Sequence, residues 1–380
     1  MTEGPLAGLR VIEFEAIGPA PFCGMHFADL GADVIVIERK TPPADYGDGV
    51  LAGIVRRGKR SIALDLKDAS DKALALDLVA RADAVIEGMR PGVMERLGLG
   101  PDDCMLRNPR LAYGRLTGWG QDGPLAQAAG HDINYAGLSG AAWYAGHGDR
   151  PPLAPPTLVG DVAGGAHYLM IGLLSAILRA RTTGEGDVVD AAVVDGSAHM
   201  TNLLLDLMPS GAMRAGRGES MLDGPPWYRA YACADGKYVS VGALEEKFYQ
   251  TFLDLVGLKD DPVFASRFDP AVWPKQADAL ATLFASKPAE AWTALLEGTD
   301  ACVAAVLSPV DAPAHPHNVA RGVFDDSAGY WQAVPAPRFK NGRPAEPDAR
   351  KSPTRGEHTD EIRKELATYP AEPRGRTPQS

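Results

Sequence analysis

The stretch that decides the fold is residues 9–37, LRVIEFEAIGPAPFCGMHFADLGADVIVI. It begins with a short apolar run, Leu9 to Phe14, which leads into the glycine and proline loop Gly18 to Pro21. A helical pattern follows as far as Leu30, and a second apolar run extends from Val34 to Ile37. Apolar runs bounded by glycine and proline are typical of buried strands. The stretch therefore predicts a strand, a helix and a second strand.

The same unit recurs further along the chain. Strands are predicted at Ser61 to Leu64, Ala84 to Ile86, Leu111 to Leu116 and Val188 to Val194, with a helix at Ala73 to Ala82. Strands that alternate with helices indicate a mainly parallel sheet covered by helices on both faces. We therefore expect an α/β fold with a Rossmann-like large domain.

A long apolar helix is predicted from Val162 to Arg181, with Asp161 as its N-cap and Thr183-Gly184 as its stop. Its apolar residues surround the axis, which favours a fully buried helix. The longest apolar run, Tyr168 to Leu178, is shorter than the roughly 18 residues that a membrane span needs.

The composition changes after residue 210. Residues 211–226 are rich in glycine, proline and charge and are predicted to be a linker. Residues 227–329 are predicted to form a smaller α+β domain, which begins with a hairpin around Asp235-Gly236. Helices are predicted at Glu246 to Val256, Lys275 to Ala285 and Ala289 to Leu296, and residues 330–370 are expected to complete the large domain of residues 1–210. We expect residues 371–380 to be disordered.

Composition excludes several classes of protein. Among 380 residues, 38 are basic and 49 acidic, and the formal net charge of −11 argues against a nucleic acid or an anionic membrane as the main partner. The four cysteines form no C-x-x-C pair, and His315-Pro316-His317 has no third ligand nearby, so no metal site is expected. The prolines at positions 19 and 21 depart from G-x-G-x-x-G and argue against NAD. We expect a soluble cytoplasmic protein that needs no cofactor.

Three acid–base residues and two basic groups could carry chemistry. Asp161 opens a glycine-flanked helix start, where free amides could face an oxyanion, although a plain N-cap is the alternative. His131 lies in a polar cluster and could be catalytic or structural, and Glu245 follows a strand and could face a cleft or solvent. Arg39-Lys40 and the group from Arg56 to Arg60 suit a phosphate-bearing ligand or a solvated turn.

Seven motifs, in order along residues 4 to 365, resemble the family III CoA-transferase superfamily. They are Pro5 to Glu13, Asp29 to Val34, Arg57 to Lys67, Arg90 to Gly98, Gly130 to Tyr135, Met221 to Gly224 and Gly356 to Thr359. The resemblance implies acyl-CoA as substrate and an interlocked homodimer with an active site shared between subunits.

Within the superfamily, the resemblance favours the racemase members. The transferase members use an aspartate at the position of Asp161 as a nucleophile and usually carry tyrosine where this chain has His131. The racemase members have His131 and Glu245 in addition to Asp161. The implied activity is racemisation of 2-methyl-branched acyl-CoA thioesters, and a CoA-transferase or a silent acyl-CoA-binding relative are the alternatives.

The resemblance also implies a role for each residue. His131 and Asp161 would be opposed acid and base, and Glu245 from the partner subunit would orient the imidazole. The amides that follow Asp161 would hold the enolate oxygen. Arg39 would lie near the adenine of CoA, with Lys59, Arg60 and Arg90 on its phosphates. Thr157 and the run Pro225 to Tyr228 depart from the racemase pattern, so the acyl pocket is expected to differ.

Overall fold

The computed structural model describes residues 4–42, 53–341 and 351–368. The chain divides into two compact units. The first contains the described residues of Met1–Gly140, Pro155–Met200 and Phe324–Ser380, and the second contains Ala141–Ala154 and Thr201–Val323. The tail of residues 371–380, which was expected to be disordered, lies outside the described residues.

The described part of the first unit contains a six-stranded parallel sheet in the order β3-β2-β1-β4-β5-β6. This order is that of a Rossmann-like sheet, so the predicted α/β fold is confirmed. The strands are β1 Arg10–Phe14, β2 Asp33–Glu38, β3 Arg60–Ala63, β4 Ala84–Glu87, β5 Ala112–Thr117 and β6 Asp187–Ala192. The helices up to β5 are α1 Pro19–Asp29, α2 Ala69–Val79, α3 Val93–Leu97 and α4 Pro101–Arg107, with a 3-10 turn at Ile54–Arg56.

The central strands carry apolar runs because both faces of the sheet are covered. Val11 of β1 packs into one core and Ile12 into the other, and both side chains are fully buried. A strand buried on both faces has no polar side to present, which is why its sequence does not alternate.

The apolar helix starts earlier than predicted. Residues Leu158–Ala166 form a π-helix that continues into α6, His167–Thr183. The N-cap is Thr157, in the left-handed region at φ 60°, and Asp161 lies inside the first winding instead of capping it. The predicted stop is correct, because Gly184 ends the helix with φ 78°.

The same helix is only partly buried within the chain, against the prediction of full burial. Leu169 and Leu173 pack into the core beneath the sheet, whereas Ile171 remains 61% exposed on the opposite side. The combined stretch Leu158–Thr183 is, by length and composition alone, apolar enough to cross a membrane. Its contacts with β5 and β6 are those of a core helix that also presents an apolar outer face.

The elements after α6 correct two boundaries. The strand predicted to reach Val194 ends at Ala192, and α7 begins directly at Val193 and runs to Met200. The helix predicted from Met200 to Met208 is the shorter α8, Asn202–Leu207. In the first unit, α5 is Asp132–Leu138, β10 is Phe324–Asp325, β11 is Gln332–Ala333 and α13 is Thr359–Thr368.

The second unit is built on an antiparallel sheet of three strands in the order β7-β8-β9. The predicted hairpin is correct, while the third strand was not predicted. The strands are β7 Tyr228–Ala232, β8 Tyr238–Gly242 and β9 Val303–Val306, and the helices are α9 Glu246–Leu255, α10 Trp273–Phe284, α11 Ala289–Leu296 and α12 Pro316–Arg321. Trp227, Phe284 and Trp292 fill its core.

The segment predicted as a linker, residues 211–226, packs inside the second unit instead. Arg217 donates from Nη2 to the carbonyl oxygens of Ala145 and His147, both at 2.9 Å. Ser220 is fully buried, and its hydroxyl accepts from the amide of Arg214 at 2.8 Å. The two bonds of Arg217 tie the segment to residues 141–154, and the Ser220 bond holds the segment's own fold. The unit boundary falls near residue 200.

The described C-terminal residues return to the large sheet, as expected. His358 donates its amide to the Ser61 carbonyl at 2.9 Å, and Ile362 is buried in the core beside β3. The first unit therefore joins residues near both ends of the chain, which are about 300 positions apart in sequence.

A buried ion pair joins β1 to the turn before β3. Lys59 Nζ lies 2.6 Å from Glu13 Oε2 and donates to the Pro21 carbonyl at 2.9 Å, with its side chain 0% exposed. Burial raises the pKa of the Glu13 carboxyl and lowers the pKa of Lys59, and each partner offsets part of the other's shift. Removing either partner would leave an uncompensated buried charge and would strongly lower the free energy of unfolding.

Lys59→Met should lower the Tm by roughly 10 °C, because it leaves a buried carboxylate without its cation at a cost of about 3–5 kcal/mol. Thermal unfolding followed by circular dichroism measures this. The double variant Lys59→Met/Glu13→Leu removes both charges and should recover most of the loss. A double variant no more stable than the single one would contradict the ion-pair account.

Candidate active site

The candidate site lies at the carboxyl edge of the large sheet, where the strand order reverses between β1 and β4. In open α/β sheets this crevice is where ligands bind. Gly18 follows β1, and a Cβ placed on it would lie 3.7 Å from Asp161 Oδ2. Gly88 follows β4, and a Cβ there would lie 3.1 Å from that of Ala16. The crevice is therefore formed by glycines, and Asp161 reaches it.

Two hydrogen bonds fix Asp161 on the π-helix. The Thr157 hydroxyl donates to its Oδ2 at 2.9 Å, and the backbone N–H of Asp161 donates to Asp132 Oδ1 at 2.8 Å. Asp132 is the residue after His131 and begins α5. The second bond therefore ties the two segments that carry the predicted acid–base residues.

His131 is the N-cap of α5 and is exposed. Its amide donates to Asn134 Oδ1 at 3.1 Å, which holds the backbone at the helix start. The His131 imidazole is close enough to Asp161 to act on it electrostatically. His131 and Asp161 therefore lie on two segments that the Asp132 carboxylate joins, and their catalytic roles stay predictions. The contact made by Asp132 was not predicted from the sequence.

The approach of Asp132 depends on Gly160. A Cβ at this position would lie 2.5 Å from Asp132 Oδ1 and would displace that carboxylate. The glycine next to Asp161 was noted in the sequence as a source of free amides. Its use in the structure is to admit a neighbouring carboxylate.

The pKa of the Asp161 carboxyl is raised above its ordinary value, chiefly because the group is removed from water. The hydrogen bond from Thr157 opposes this shift, the negative Asp132 adds to it, and His131 opposes it. A carboxyl with a raised pKa binds and releases protons closer to neutrality, which suits general acid–base work.

Tyr135 supports the loop that carries His131. Its hydroxyl donates to the Gly130 carbonyl, and its ring packs edge-on to Trp119 with centroids 4.7 Å apart. A Cβ at Gly118 would lie 2.0 Å from Tyr135 Cζ, so the ring rests directly on that glycine. Burial, and then the charge of Asp161, raise the pKa of Tyr135.

The predicted oxyanion donors are not available. The amide of Asp161 is taken by Asp132, and that of Val162 donates to the Thr157 carbonyl at 3.1 Å. The π-helical winding satisfies the Val162 amide within the helix, whereas the Asp161 amide has its acceptor in the neighbouring segment. Among the residues described, the amides of Asp132 and Ile133 at the start of α5 donate to no acceptor.

The four basic residues assigned to CoA separate into two pairs. Arg39 follows β2 and Arg90 follows β4, and both are exposed at the carboxyl edge that holds Asp161. Arg90 also acts electrostatically on Tyr135. These two remain candidates for the ligand.

The structure does not support Lys59 and Arg60 as phosphate ligands. Lys59 is fully buried against Glu13. Arg60 begins β3 at the opposite edge of the sheet, where its guanidinium pairs with Asp33 at 2.7 Å and with Glu365 at 2.9 Å. Both cations are neutralised by carboxylates of the protein.

Glu245 belongs to the second unit. It follows β8 as the N-cap of α9, is exposed, and makes no capping hydrogen bond with its side chain. Its backbone is extended, with φ −79° and ψ 147°. Its carboxylate is therefore presented at the surface of that unit, at the strand end where the sequence predicted it.

Within residues 4–42, 53–341 and 351–368, no three His, Cys, Asp or Glu side chains are grouped to hold a metal ion. Of the histidine pair at positions 315 and 317, His315 contacts a carboxylate: its Nε2 lies 3.2 Å from Glu297 Oε1.

Several proteins with curated activities are similar in sequence to this chain. The chain is 40% identical over 363 residues to the α-methylacyl-CoA racemase of Homo sapiens, and 38% identical over 364 residues to that of Mus musculus. Each alignment covers 95% of this chain and 93% of the relative. The acetyl-CoA:oxalate CoA-transferase of Acetobacter aceti is 31% identical, with 86% of this chain and 87% of that one covered.

The chain is also similar to a solved structure and matches a family profile. The crystal structure of a CaiB/BaiF family protein from Brucella suis matches with a TM-score of 0.80 at 27% identity, covering 96% of this chain and all of that one. The profile of CoA-transferase family III matches residues 6–359. The family predicted from the sequence is confirmed: the chain belongs to CoA-transferase family III.

Proposed function

We propose that the protein is a cofactor-independent racemase, or epimerase, of 2-methyl-branched acyl-CoA thioesters. The observation that carries the proposal is the joining of Asp161 to the His131 segment by the Asp132 hydrogen bond at the sheet's switch point. The racemases among the relatives, at 38–40% identity over 95% of the chain, support the same substrate class.

The reaction requires two bases on opposite sides of one carbon. One base removes the proton next to the thioester carbonyl, and the other returns a proton to the opposite face. His131 and Asp161 would share these two tasks. The raised pKa of Asp161 favours this, because a carboxylate that holds a proton more readily is a stronger base.

The enolate formed between the two transfers needs donors for its oxygen. The amides of Asp132 and Ile133 are the donors that the described residues leave open beside His131. We propose that they replace the amides after Asp161, which the π-helix uses itself. Fixed backbone donors stabilise such a charge without reorganisation.

Substrate binding is proposed to use Arg39 and Arg90 for the CoA moiety, since both cations are exposed at the carboxyl edge. Glu245 is proposed to orient the His131 imidazole from the partner subunit of a homodimer. The exposed apolar face of α6, which includes Ile171 and Leu178, supports association with a second copy.

A CoA-transferase is the second candidate. It is favoured by the nucleophile position of Asp161 and by the transferase of Acetobacter aceti among the relatives. In that reaction the Asp161 carboxylate would attack the thioester carbonyl, release CoA thiolate and form an acyl anhydride. Hydroxylamine should then trap an acyl group from Asp161 only when an acyl-CoA donor is present.

The experiment that separates the two is exchange in D₂O. A single epimer of a 2-methylacyl-CoA should gain deuterium at the α-carbon and epimerise with no acceptor acid present. Mass spectrometry and chiral analysis measure both. Absence of exchange across a panel of branched acyl-CoA esters, with CoA transfer to an added acid, would overturn the racemase proposal in favour of the transferase.

His131→Ala and Asp161→Ala should each lower kcat by about 10²-fold or more, because each removes a group that moves the proton in the transition state. Binding of the CoA ester should change by only a few-fold, as measured by calorimetry. The control is Arg90→Ala, which should mainly weaken binding. If kcat stayed within a few-fold in either acid–base variant, that residue would have no part in proton transfer.

Thr157→Val should move the acidic limb of the kcat/KM profile to higher pH. The hydroxyl stabilises the ionised Asp161 carboxylate, so its loss raises the pKa of that carboxyl, and the base is protonated sooner on acidification. Valine keeps the branching of threonine at the left-handed position. Thr157→Ser keeps the hydroxyl and should leave the limb in place, whereas equal profiles for valine and wild type would contradict this role.

Ile171→Glu should weaken the proposed dimer, because it places a charge on the exposed apolar face of α6. Sedimentation velocity should show the wild-type chain as a dimer and the variant shifted toward monomer at the same concentration. The matched control is Leu106→Glu, at a position 85% exposed in another helix, which should not change the association state. A monomeric wild-type chain with full activity would refute the shared-site proposal.

A further inference from the structure

Arg267 is a buried cation in the second unit that the proposed reaction does not use. It is only 6% exposed and precedes α10. Its guanidinium lies 4.3 Å from the ring centroid of Tyr249, 4.8 Å from that of Trp227 and 4.9 Å from that of Phe268. Three aromatic faces therefore surround one planar cation and fix its orientation.

The hydrogen bonds of this guanidinium converge on the turn that carries Glu245. Nη2 donates to the carbonyl oxygens of Ala243 and Leu244, both at 2.6 Å, and Nη1 donates to Glu246 Oε2 at 2.9 Å. These are the two residues before Glu245 and the one after it. The amide of Ala243 also donates to the Trp227 carbonyl at 3.1 Å, so the same aromatic cluster holds both sides of the turn.

The charge of Arg267 is poorly explained by stability alone. Its carboxylate partner, Glu246, is 61% exposed, and such half-exposed pairs contribute little. An apolar side chain would fill the aromatic cluster without a buried cation. What only a guanidinium supplies is a rigid fork that donates to two backbone carbonyls and a carboxylate at once.

Glu245 depends on this turn for its direction. Its side chain makes no capping hydrogen bond, and its extended backbone is where β8 gives way to α9. The orientation of the carboxylate is therefore set by the backbone of Ala243 and Leu244. Those are the carbonyls that Arg267 holds.

We propose that Arg267 is a positioning residue that fixes the β8–α9 turn so that Glu245 points at its catalytic partner. This rests on the proposed function, in which Glu245 orients His131. Arg267 contacts no substrate in this account. It acts only through Glu245, so the effects of substitutions at the two positions should not be additive.

The test is a double-mutant cycle between Glu245→Gln and Arg267→Met, assayed by the epimerisation rate below the Tm of every variant. Arg267→Met should lower kcat by about tenfold or more with KM within about threefold, since the residue affects proton transfer and not binding. The combined variant should be no slower than Glu245→Gln alone, because the positioned group is already lost. Rate losses that multiply would overturn the proposal.

Two further variants cover a failure of Arg267→Met to fold. Arg267→Lys keeps the charge but lacks the fork, and it should also lower kcat; full activity in this variant would overturn the proposal. Phe268→Ala removes one of the aromatic rings around the guanidinium, at a position that is 69% exposed. It should lower kcat by less than Arg267→Met does, and it should have no effect on kcat when Glu245→Gln is already present. If that loss persisted there, the proposal would likewise fail.

The matched control is Lys287→Met. Lys287 lies 4.6 Å over the Trp292 ring in the same unit and, among the described residues, makes no hydrogen bond to the β8–α9 turn. Its loss should lower stability slightly and leave kcat unchanged. If Glu245→Gln itself left kcat unchanged while His131→Ala abolished it, the role of Glu245 and with it that of Arg267 would fall, and the racemase proposal would stand.

Discussion

The hydrogen bond from the Asp161 amide to the Asp132 carboxylate holds the candidate site together. It joins segments 29 residues apart in sequence at 2.8 Å. The donor belongs to the first turn of a helix, where an amide needs an outside acceptor. The bond forms only because Gly160 has no Cβ in the way. The segments that carry His131 and Asp161 are thereby held together by a bond from a backbone amide to the carboxylate of the residue after His131.

Much of the fold follows from short apolar runs. A strand covered on both faces is apolar throughout, so β1, β2 and β4 are visible as such in the sequence. The helix α7 was missed because Val193 and Val194, which are β-branched, continue the pattern of β6. The strand β9 is four residues long and is defined by its pairing with β8 far earlier in the chain, for which no local signal exists.

Candidate residues of the site can be named from the sequence, but the contacts around them cannot. The resemblance to the family implies roles for His131, Asp161 and Glu245, whereas the contacts made by Asp132 and Arg267 are visible only in the structure. The error over Lys59 and Arg60 has a simple geometric cause. A residue after one parallel strand and a residue before the next lie at opposite edges of the sheet. An available signal was Glu13, because an acid inside an apolar strand requires a buried cation nearby.

The change from π to α winding near His167 also affects how this helix reads in sequence. The π-helix and the α-helix have different numbers of residues per turn. When the whole segment is drawn on one α-helical wheel, the apolar residues of the two parts therefore fall on different sides, and the segment looks apolar all round. Gaining or losing one residue within Leu158–Ala166 would turn Asp161 about the axis while α6 stays seated on the sheet. Proteins that share this fold could therefore differ in the direction of the acid at position 161 through a change in the length of this segment alone.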